Sequence, residues 1–397
     1  MRVAQRVSKK FSRVRVSPNR SPGITSRSLA IKKLTLIMLL FSASAGAATT
    51  DWEPSKSWVF IVGLLEWKHS DEYRPFPKKG RRDTILAERF KKLGVPADNV
   101  ELIQDTVATT AAVTAAFKKF AARPAKGDTL FVYFCGHGFQ GDDGIDYFAT
   151  YDANQKAWAV PKIFETIEAN FHGSRAVLLA DCCDSGAMAD QARVRKSSIE
   201  YGCLTSVLAG DTSTANWTFS DSLLDVLDGA PQADFDGDGV ITFDEAAKYI
   251  NGEMRFFDEQ SAASSHSGKW PGGFKLAGAE APKADKRIGE HVEVLYEGEW
   301  WRAMIESVDH GKVKVYYASP AKREEGVVEQ KDVRVYKETP PAPLAVGSKV
   351  QVEWKHRWWP ARIVKLDEAE KKFYITYDGY GKDWDEWVGE KRIRQRP

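Results

Sequence analysis

Two short stretches bring reactive side chains to the ends of apolar runs. Residues 129–138, "TLFVYFCGHG", close on His137 between two glycines, and residues 175–186, "RAVLLADCCDSG", close on the vicinal pair Cys182 and Cys183. A thiol is weakly ionised at neutral pH, and it becomes a useful nucleophile when a nearby imidazole takes its proton or stabilises the thiolate. Glycines at 136 and 138 let the backbone turn sharply and leave an amide for an oxyanion. Base, nucleophile and amide donor together are the parts of an acyl-transfer site.

For that chemistry the two runs must lie side by side, and the surrounding pattern predicts that they do. From residue 57 short apolar segments alternate with amphipathic ones: "WVFIVGLL" and "RRDTILAERFKKLG", "NVELIQD" and "TTAAVTAAFKKFAAR", "TLFVYFCG" and "PKIFETIEANF", then "RAVLLADCC" and "CLTSVLAG". Uninterrupted apolar strands separated by helices indicate a parallel sheet covered on both faces. Reactive groups of such sheets gather at the carboxyl ends of the strands. Neighbouring strands run about 4.8 Å apart, so a residue just past one end reaches its counterpart past the next. The helix "TFSDSLLDVLDG", an acidic loop and "EAAKYINGEM" follow. Residues 258–286, rich in Ser, Ala, Gly, Pro and Lys, read as domain end and linker.

These residues resemble the histidine and cysteine motifs of the caspase-like clan of cysteine peptidases. "DCCDSG" is similar to the metacaspase Asp-x-Cys-His-Ser-Gly pattern and "CDSGAM" to the legumain Cys-Glu-Ser-Gly-Ser-Met pattern. Both alignments assign the nucleophile to Cys183 rather than Cys182. The 46 residues from His137 to Cys183 fit a clan whose histidine lies about 50 residues upstream. The resemblance implies a caspase-like peptidase domain over 55–257, with His137 as base, Cys183 as nucleophile and the amides of Gly138 and Cys183 as oxyanion donors. The metacaspase acid two residues before the cysteine lines a pocket for a basic residue; it matches Asp181, and Asp211 in "LAGDTS" matches a second acid after the next strand. Cleavage after Arg or Lys is the expected specificity, with a legumain-like preference for Asn or Asp the competing one. Asp184 stands where metacaspases have histidine, and the caspase Gln-Ala-Cys-x-Gly signature is absent. An inactive caspase-fold scaffold is therefore the rival to an enzyme.

Charge divides the chain. Residues 1–50 carry ten Arg and Lys and no acid, and within them "IKKLTLIMLLFSASAGAA" joins a basic lead, an apolar stretch of about ten residues and small A-x-A residues. That is how a secretory signal peptide is built, and the run is too short for the roughly 20 apolar residues of a membrane anchor. Residues 1–48 are expected to be a basic extension plus signal peptide cleaved near Ala47 or Ala48, leaving a secreted or periplasmic protein without a membrane span. Cleavage turns the formal net charge of +2 into about −8, and residues 51–280, with 24 basic and 34 acidic side chains, carry the deficit. An acidic region suits basic ligands such as a protein or peptide substrate and gives no support to nucleic-acid binding. Cys135, Cys182, Cys183 and Cys203 remain after cleavage. An even count in an oxidising compartment allows disulfides, yet all four sit in or just after apolar runs rather than in loops.

Residues 234–245, "DFDGDGVITFDE", fit the calcium loop of an EF-hand. Asp234, Asp236 and Asp238 would offer carboxylates, Val240 its carbonyl and Thr242 a direct or water-mediated ligand, with Glu245 closing the site bidentately. A single loop points to a structural Ca²⁺ rather than a switch; a solvated acidic loop capping the next helix is the alternative. No organic cofactor is expected.

The remainder repeats. "IGEHVEVLYEGEWWRAMIESVD" (288–309) matches "VGSKVQVEWKHRWWPARIVKLD" (346–367) at an offset of 58, and "VKVYY" matches "FYITY" at an offset of 60. Alternating strands of about six residues in two such units predict two small SH3-like all-β barrels, over 287–336 and 345–396. They resemble Tudor, Agenet and chromo-barrel modules. The resemblance implies an aromatic cage of Trp354, Trp359, Tyr377 and Tyr380 that could enclose a bulky cation. Its counterpart in the first unit, Tyr296, Trp301 and Tyr317 with Pro320, is incomplete. Trp384 and Trp387 are expected to pack the barrel, and core packing is the alternative for every cage residue. The whole chain therefore reads as α/β, a caspase-like mostly parallel sheet flanked by helices, followed by two barrels with an unknown ligand.

Overall fold

The computed structural model describes residues 51–397 apart from 272, 282–284, 318–323, 338–342, 355–356 and 396–397, so the expected signal segment and Pro320 lie outside the described residues. The apolar runs form strands β1 (Ser57–Gly63), β2 (Val100–Gln104) and β3 (Thr129–Cys135). A hairpin of β4 (Gly138–Gln140) and β5 (Asp146–Phe148), extended by β6 (Trp158–Ala159), leaves the sheet just after β3. Then come β7 (Arg175–Asp181), β8 (Glu200–Thr205), β9 (Val240–Thr242), β10 (Ala263–His266) and β11 (Lys275–Gly278). Six of them make one sheet in the order β10-β8-β7-β3-β1-β2, parallel except for β10.

Six helices cover the sheet: α1 (Arg82–Lys92), α2 (Thr110–Ala121), α3 (Val160–Asn170), α4 (Gly186–Val194), α5 (Thr218–Leu227) and α6 (Phe243–Asp258). Strand alternation divides the core. Phe60, Val62, Val132, Phe134 and Leu178 meet Phe117, Phe164 and Met188 of α2, α3 and α4 on one face. Val59, Ile61, Phe131 and Leu179 meet Phe90, Leu223 and Ile250 of α1, α5 and α6 on the other. Each such side chain contributes about 1.5–3 kcal/mol on burial, which is why the central strands are apolar without a break.

Two expectations change. The strand read as "CLTSVLAG" starts earlier, as "EYGCLT", and its apolar tail is a loop leading to the rim of the sheet. Residues 263–278 belong to the domain end rather than to a linker. They hold β10, the antiparallel edge of the main sheet, and β11, paired with β9, and they bury Trp270, Phe274 and Leu276. β10 alternates buried and exposed residues, and the buried Ser265 donates to the carbonyl of Ala189. Short strands that bury serine and alanine look like a linker by composition alone.

Each repeat is a five-stranded antiparallel barrel. The first uses His291–Tyr296, Glu299–Asp309, Lys312–Tyr317, Glu324–Glu329 and Val333–Val335; the second uses Lys349–Trp354, Arg357–Asp367, Lys372–Tyr377, Glu386–Gly389 and Ile393–Gln395. Both carry a bulge at equivalent positions, between Ile305 and Ser307 and between Ile363 and Lys365, which confirms the repeat at an offset of 58. The first barrel rests on the end of α6, where His291 stacks on Phe256 at 3.9 Å and Arg302 donates to the Phe256 carbonyl at 2.6 Å. No helix among the described residues is long and apolar enough to cross a membrane.

Candidate active site

β3 and β7 are adjacent and in register, with Cys135 opposite Asp181. The two chains therefore leave the sheet level with each other, and His137 and Cys183 each stand two residues beyond. Gly136 sits at φ +150°, where a Cβ would lie 3.1 Å from the Leu64 carbonyl. At Gly138 a Cβ would lie 2.0 Å from the Cys183 carbonyl oxygen and 3.0 Å from the Cys182 sulfur. Only glycine lets the histidine loop lie flat against the cysteine loop. The expected juxtaposition of the two strand tips is present.

A segment that sequence reasoning passed over positions the imidazole. Residues 64–81 fold over the rim, where Trp67 and Phe76 each lie 4.6 Å from the His137 ring and Tyr73 lies 5.8 Å away. His137 Nε2–H donates to the Arg74 carbonyl at 2.9 Å, because a carbonyl can only accept. That bond fixes the tautomer and leaves Nδ1 with its lone pair in the neutral ring. Burial lowers the His137 pKa, against the opposing pull of the Arg74 carbonyl, so the ring is uncharged at neutral pH.

Cys183 alone among the four cysteines is partly exposed; Cys135, Cys182 and Cys203 are buried, and all four are free thiols. Burial raises the Cys183 pKa, the Ser213 amide pulls it down by donating to the sulfur at 3.3 Å, and Asp184 and Asp181 push it up again. At rest it is a thiol. Burial lifts Cys135, Cys182 and Cys203 well above the usual thiol range, which makes them inert. Among the described residues no hydrogen bond joins His137 to Cys183.

Backbone strain gathers here. Asp184 at φ +56° and Trp217 at φ +60° adopt left-handed conformations that non-glycine residues avoid. Aspartate tolerates that region better than most residues, which gives a physical reason for Asp184 after the vicinal pair. Its amide donates to the Asp211 carbonyl at 2.9 Å.

The expected pocket acids part company. Asp181 lies at the rim, fully within the protein, where it accepts from Ser220 Oγ at 2.6 Å and from the Ser220 amide at 3.2 Å. Burial pushes its pKa up to about 6, against the Ser220 bonds, and the charges of Asp258 and Asp221 add to the rise. The Asp211 carboxylate accepts from Gln351 of the second barrel at 2.6 Å. Acids whose charge reaches Asp181 include Asp221 and Asp258; Asp258, at the end of α6, accepts from Asn216 at 2.7 Å. Nothing in the local sequence marks Asp258, since α6 brings it to the rim from far along the chain. Nearby cations are already matched: Arg81 pairs with Asp83 and Asp105, and Arg82 with Asp221.

In the acidic loop, carboxylate oxygens of Asp234, Asp236 and Glu245 lie within 4.8 Å of one another. Asp234 accepts from the amides of Gly237 and Gly239, and both glycines are left-handed. Asp238 accepts from the Val240 amide, and Glu245 forms a capping box with Thr242 at the start of α6. Burial pushes the Glu245 pKa up, but the Thr242 and Phe235 bonds outweigh it and hold the carboxyl below its ordinary range. Hard carboxylate oxygens converging on a turn fit a Ca²⁺ ion.

On the second barrel the cage residues do gather. Tyr380 lies 5.7 Å from Trp359 and 6.4 Å from Tyr377. Trp384, expected inside the barrel, is half exposed and joins this group, 5.6 Å from Trp354 and 6.0 Å from Tyr380. Trp387 is also exposed and packs on Tyr374 instead of filling the interior. Small aliphatic residues, Val350, Val352, Ile363, Ile375 and Val388, fill the barrel, so the tryptophans are not needed there.

A family model described as the caspase domain matches residues 80–286. An Agenet domain model matches residues 289–338, and a Tudor-knot model, described as the RNA binding activity-knot of a chromodomain, matches residues 344–395. Among solved structures, protein GSU0716 from Geobacter sulfurreducens aligns at 16% identity and TM-score 0.42 over 57% of this chain and 100% of that one. Tbtudor aligns at 19% identity and TM-score 0.13 over 13% of this chain and 95% of its own, and the tandem Agenet domains 3-4 of ADCP1 at 19% and 0.13 over 27% and 78%. No curated protein matches.

Proposed function

Since the chain belongs to the caspase-domain family, with Agenet and Tudor-knot modules behind that domain, we propose that it is an exported cysteine endopeptidase cleaving after basic residues. The observation that supports this reading is the shared rim, where β3 and β7 end level and the Gly138 backbone lies against the Cys183 backbone, bringing the histidine loop against the loop of the partly exposed thiol. In the first step the Cys183 sulfur attacks the scissile carbonyl carbon while its proton passes to His137 Nδ1. The amides of Gly138 and Cys183 receive the oxyanion. The C–N bond then breaks as His137 returns the proton to the leaving amine, giving an acyl thioester. Water, deprotonated by the same imidazole, releases the acid and restores the thiol. A neutral base and a protonated nucleophile mean that proton transfer accompanies attack rather than preceding it.

Asp181, seconded by Asp258, supplies the charge for an Arg or Lys side chain in this proposal, and the net charge of −10 over residues 51–280 favours approach of basic chains. A peptide library varied at the residue before the cut tests it. Arg and Lys peptides should be turned over at least about a hundredfold faster than Asn or Asp peptides. Preference for Asn or Asp, or equal turnover of acidic and basic peptides, would refute the pocket. One observation favours the scaffold reading: His137 and Cys183 share no hydrogen bond at rest. Catalytic bonds often tighten only with substrate in place, and the cysteine substitutions in the Discussion decide the matter.

The acidic loop is proposed to hold a structural Ca²⁺ through Asp234, Asp236, Asp238 and Glu245, with Val240 and Thr242 completing the shell, and so to anchor the start of α6. Glu245→Gln is a clean test because glutamine can keep the capping box while losing the bidentate charge. Calorimetric titration with Ca²⁺ should give binding heat in the parent and none in the variant; identical heats would remove the ion from the account. The barrel cage is proposed to take a bulky cation on a protein or peptide, with Trp384 as a fifth wall beside Trp354, Trp359, Tyr377 and Tyr380.

A further inference from the structure

The second barrel has another face, opposite in role to its cage. Trp358 and Trp359 are consecutive on one strand, so their side chains point to opposite sides. Trp359 joins the cage, whereas Trp358 lies under the Arg394 guanidinium at 4.0 Å. Arg394 donates to the Ala209 carbonyl at 2.6 Å and to Gln351 Oε1 at 2.7 Å, and Gln351, only 3% exposed, donates to Asp211 at 2.6 Å. A Cβ on Gly210 would stand 3.2 Å from the Trp358 carbonyl. From the other side, Gly186 at the start of α4 lies so near that a Cβ there would sit 2.2 Å from the Ala209 nitrogen. The loop after β8 is thus gripped between α4 and the barrel. Its Asp211 carbonyl accepts from Asp184, and its Ser213 amide donates to the Cys183 sulfur.

We propose that the second barrel is a positioning element of the thiol site, with Gln351 and Arg394 holding loop 207–213 so that the Ser213 amide faces Cys183. Gln351 and Arg394 touch no reacting atom; they act through the loop. This deepens the peptidase reading and rests on it only for its consequence in turnover. A buried glutamine on a barrel that served ligand binding alone would have no reason to spend its amide on a loop of the first domain. The charged and titratable groups around the sulfur and its loop are Asp181 and Asp184 at the end of β7, His137 beyond β3, Asp211 in the loop, Arg394 from the barrel, and Asp190 and Arg193 on α4.

The test uses the full-length protein and the rate of Cys183 alkylation by iodoacetamide as a function of pH. Gln351→Glu sets two carboxylates against each other at the contact. It should displace the loop, move the midpoint of the profile up by about one unit and slow alkylation at pH 7 about tenfold, because the thiolate loses a donor. Adding Asp211→Asn restores a donor and acceptor pair in the reverse sense and should return the profile to that of the parent. A parent-like profile in Gln351→Glu, with the fold intact by circular dichroism, overturns the proposal. If that variant does not fold, Gln351→Ala is read on the same scale with the same two outcomes. Alkylation reports on the sulfur whether or not any peptide is cut. A shifted profile without turnover in the parent would sink the peptidase reading alone, and normal turnover with an unmoved profile would sink this one alone.

Discussion

Cys183→Ala is expected to lower peptide hydrolysis by at least about a thousandfold and to abolish labelling by a thiol-reactive peptide probe, while Cys182→Ala keeps both within a fewfold. The adjacent sulfurs differ in everything that matters to chemistry. Cys182 is 1% exposed, and its thiol is held far from ionisation by burial and by the charges of its neighbours. Cys183 is partly open to solvent and accepts the Ser213 amide, the kind of donor that favours a thiolate. His137→Ala should slow acylation by about a hundredfold to ten-thousandfold through loss of the base, with the probe still bound but reacting slowly. Retained labelling in Cys183→Ala, or equal labelling of both single variants, would leave a caspase-fold scaffold in place of an enzyme.

Asp181→Asn should separate stability from specificity in opposite directions. The carboxyl titrates near pH 6 in the folded protein against an ordinary value of 3.8. The folded state therefore binds that proton more tightly than the unfolded one. Stability from this group is greatest below about pH 4, falls as the pH rises from about 4 to 6, and stays low above. Two units correspond to roughly 3 kcal/mol, which sets the upper limit of what asparagine regains at neutral pH. Urea melts should show the variant gaining on the parent at pH 7.5 and losing that advantage at pH 4. Turnover of peptides with Arg before the cut should drop about a hundredfold, the scale of a lost charge-assisted bond. A variant less stable at pH 7.5, or one that still prefers Arg as strongly, would remove Asp181 from the pocket.

The sheet was legible because three of its strands, β1, β3 and β7, are apolar runs that nothing but a doubly covered sheet would bury. The rim followed from it, since the lengths of β3 and β7 alone put His137 and Cys183 at the same height. The misses share a cause as well. β10, reading "ASSH", is an edge strand that buries serines, and the β4–β6 hairpin is too short to show a period. Residues 64–81 carry no periodicity, yet Trp67, Phe76 and the Arg74 carbonyl orient the imidazole. Asp258 and Gln351 reach the site only through tertiary packing, so no spacing along the chain could announce them. Trp384 reads as an interior residue because small barrels need bulk, but valines and isoleucines supply it and release the indole to the surface.

Three of the four cysteine sulfurs are sealed in the core and form no cross-link. The first domain is accordingly held together without a disulfide, and reductants have no cross-link to open. Among the cysteines, a peroxide or an electrophile reaches Cys183 first, the sulfur proposed above as the nucleophile. Sulfenic acid formed there would be reducible, while further oxidation would not. On the proposed mechanism, oxidation of the cysteines falls on turnover before it touches the fold.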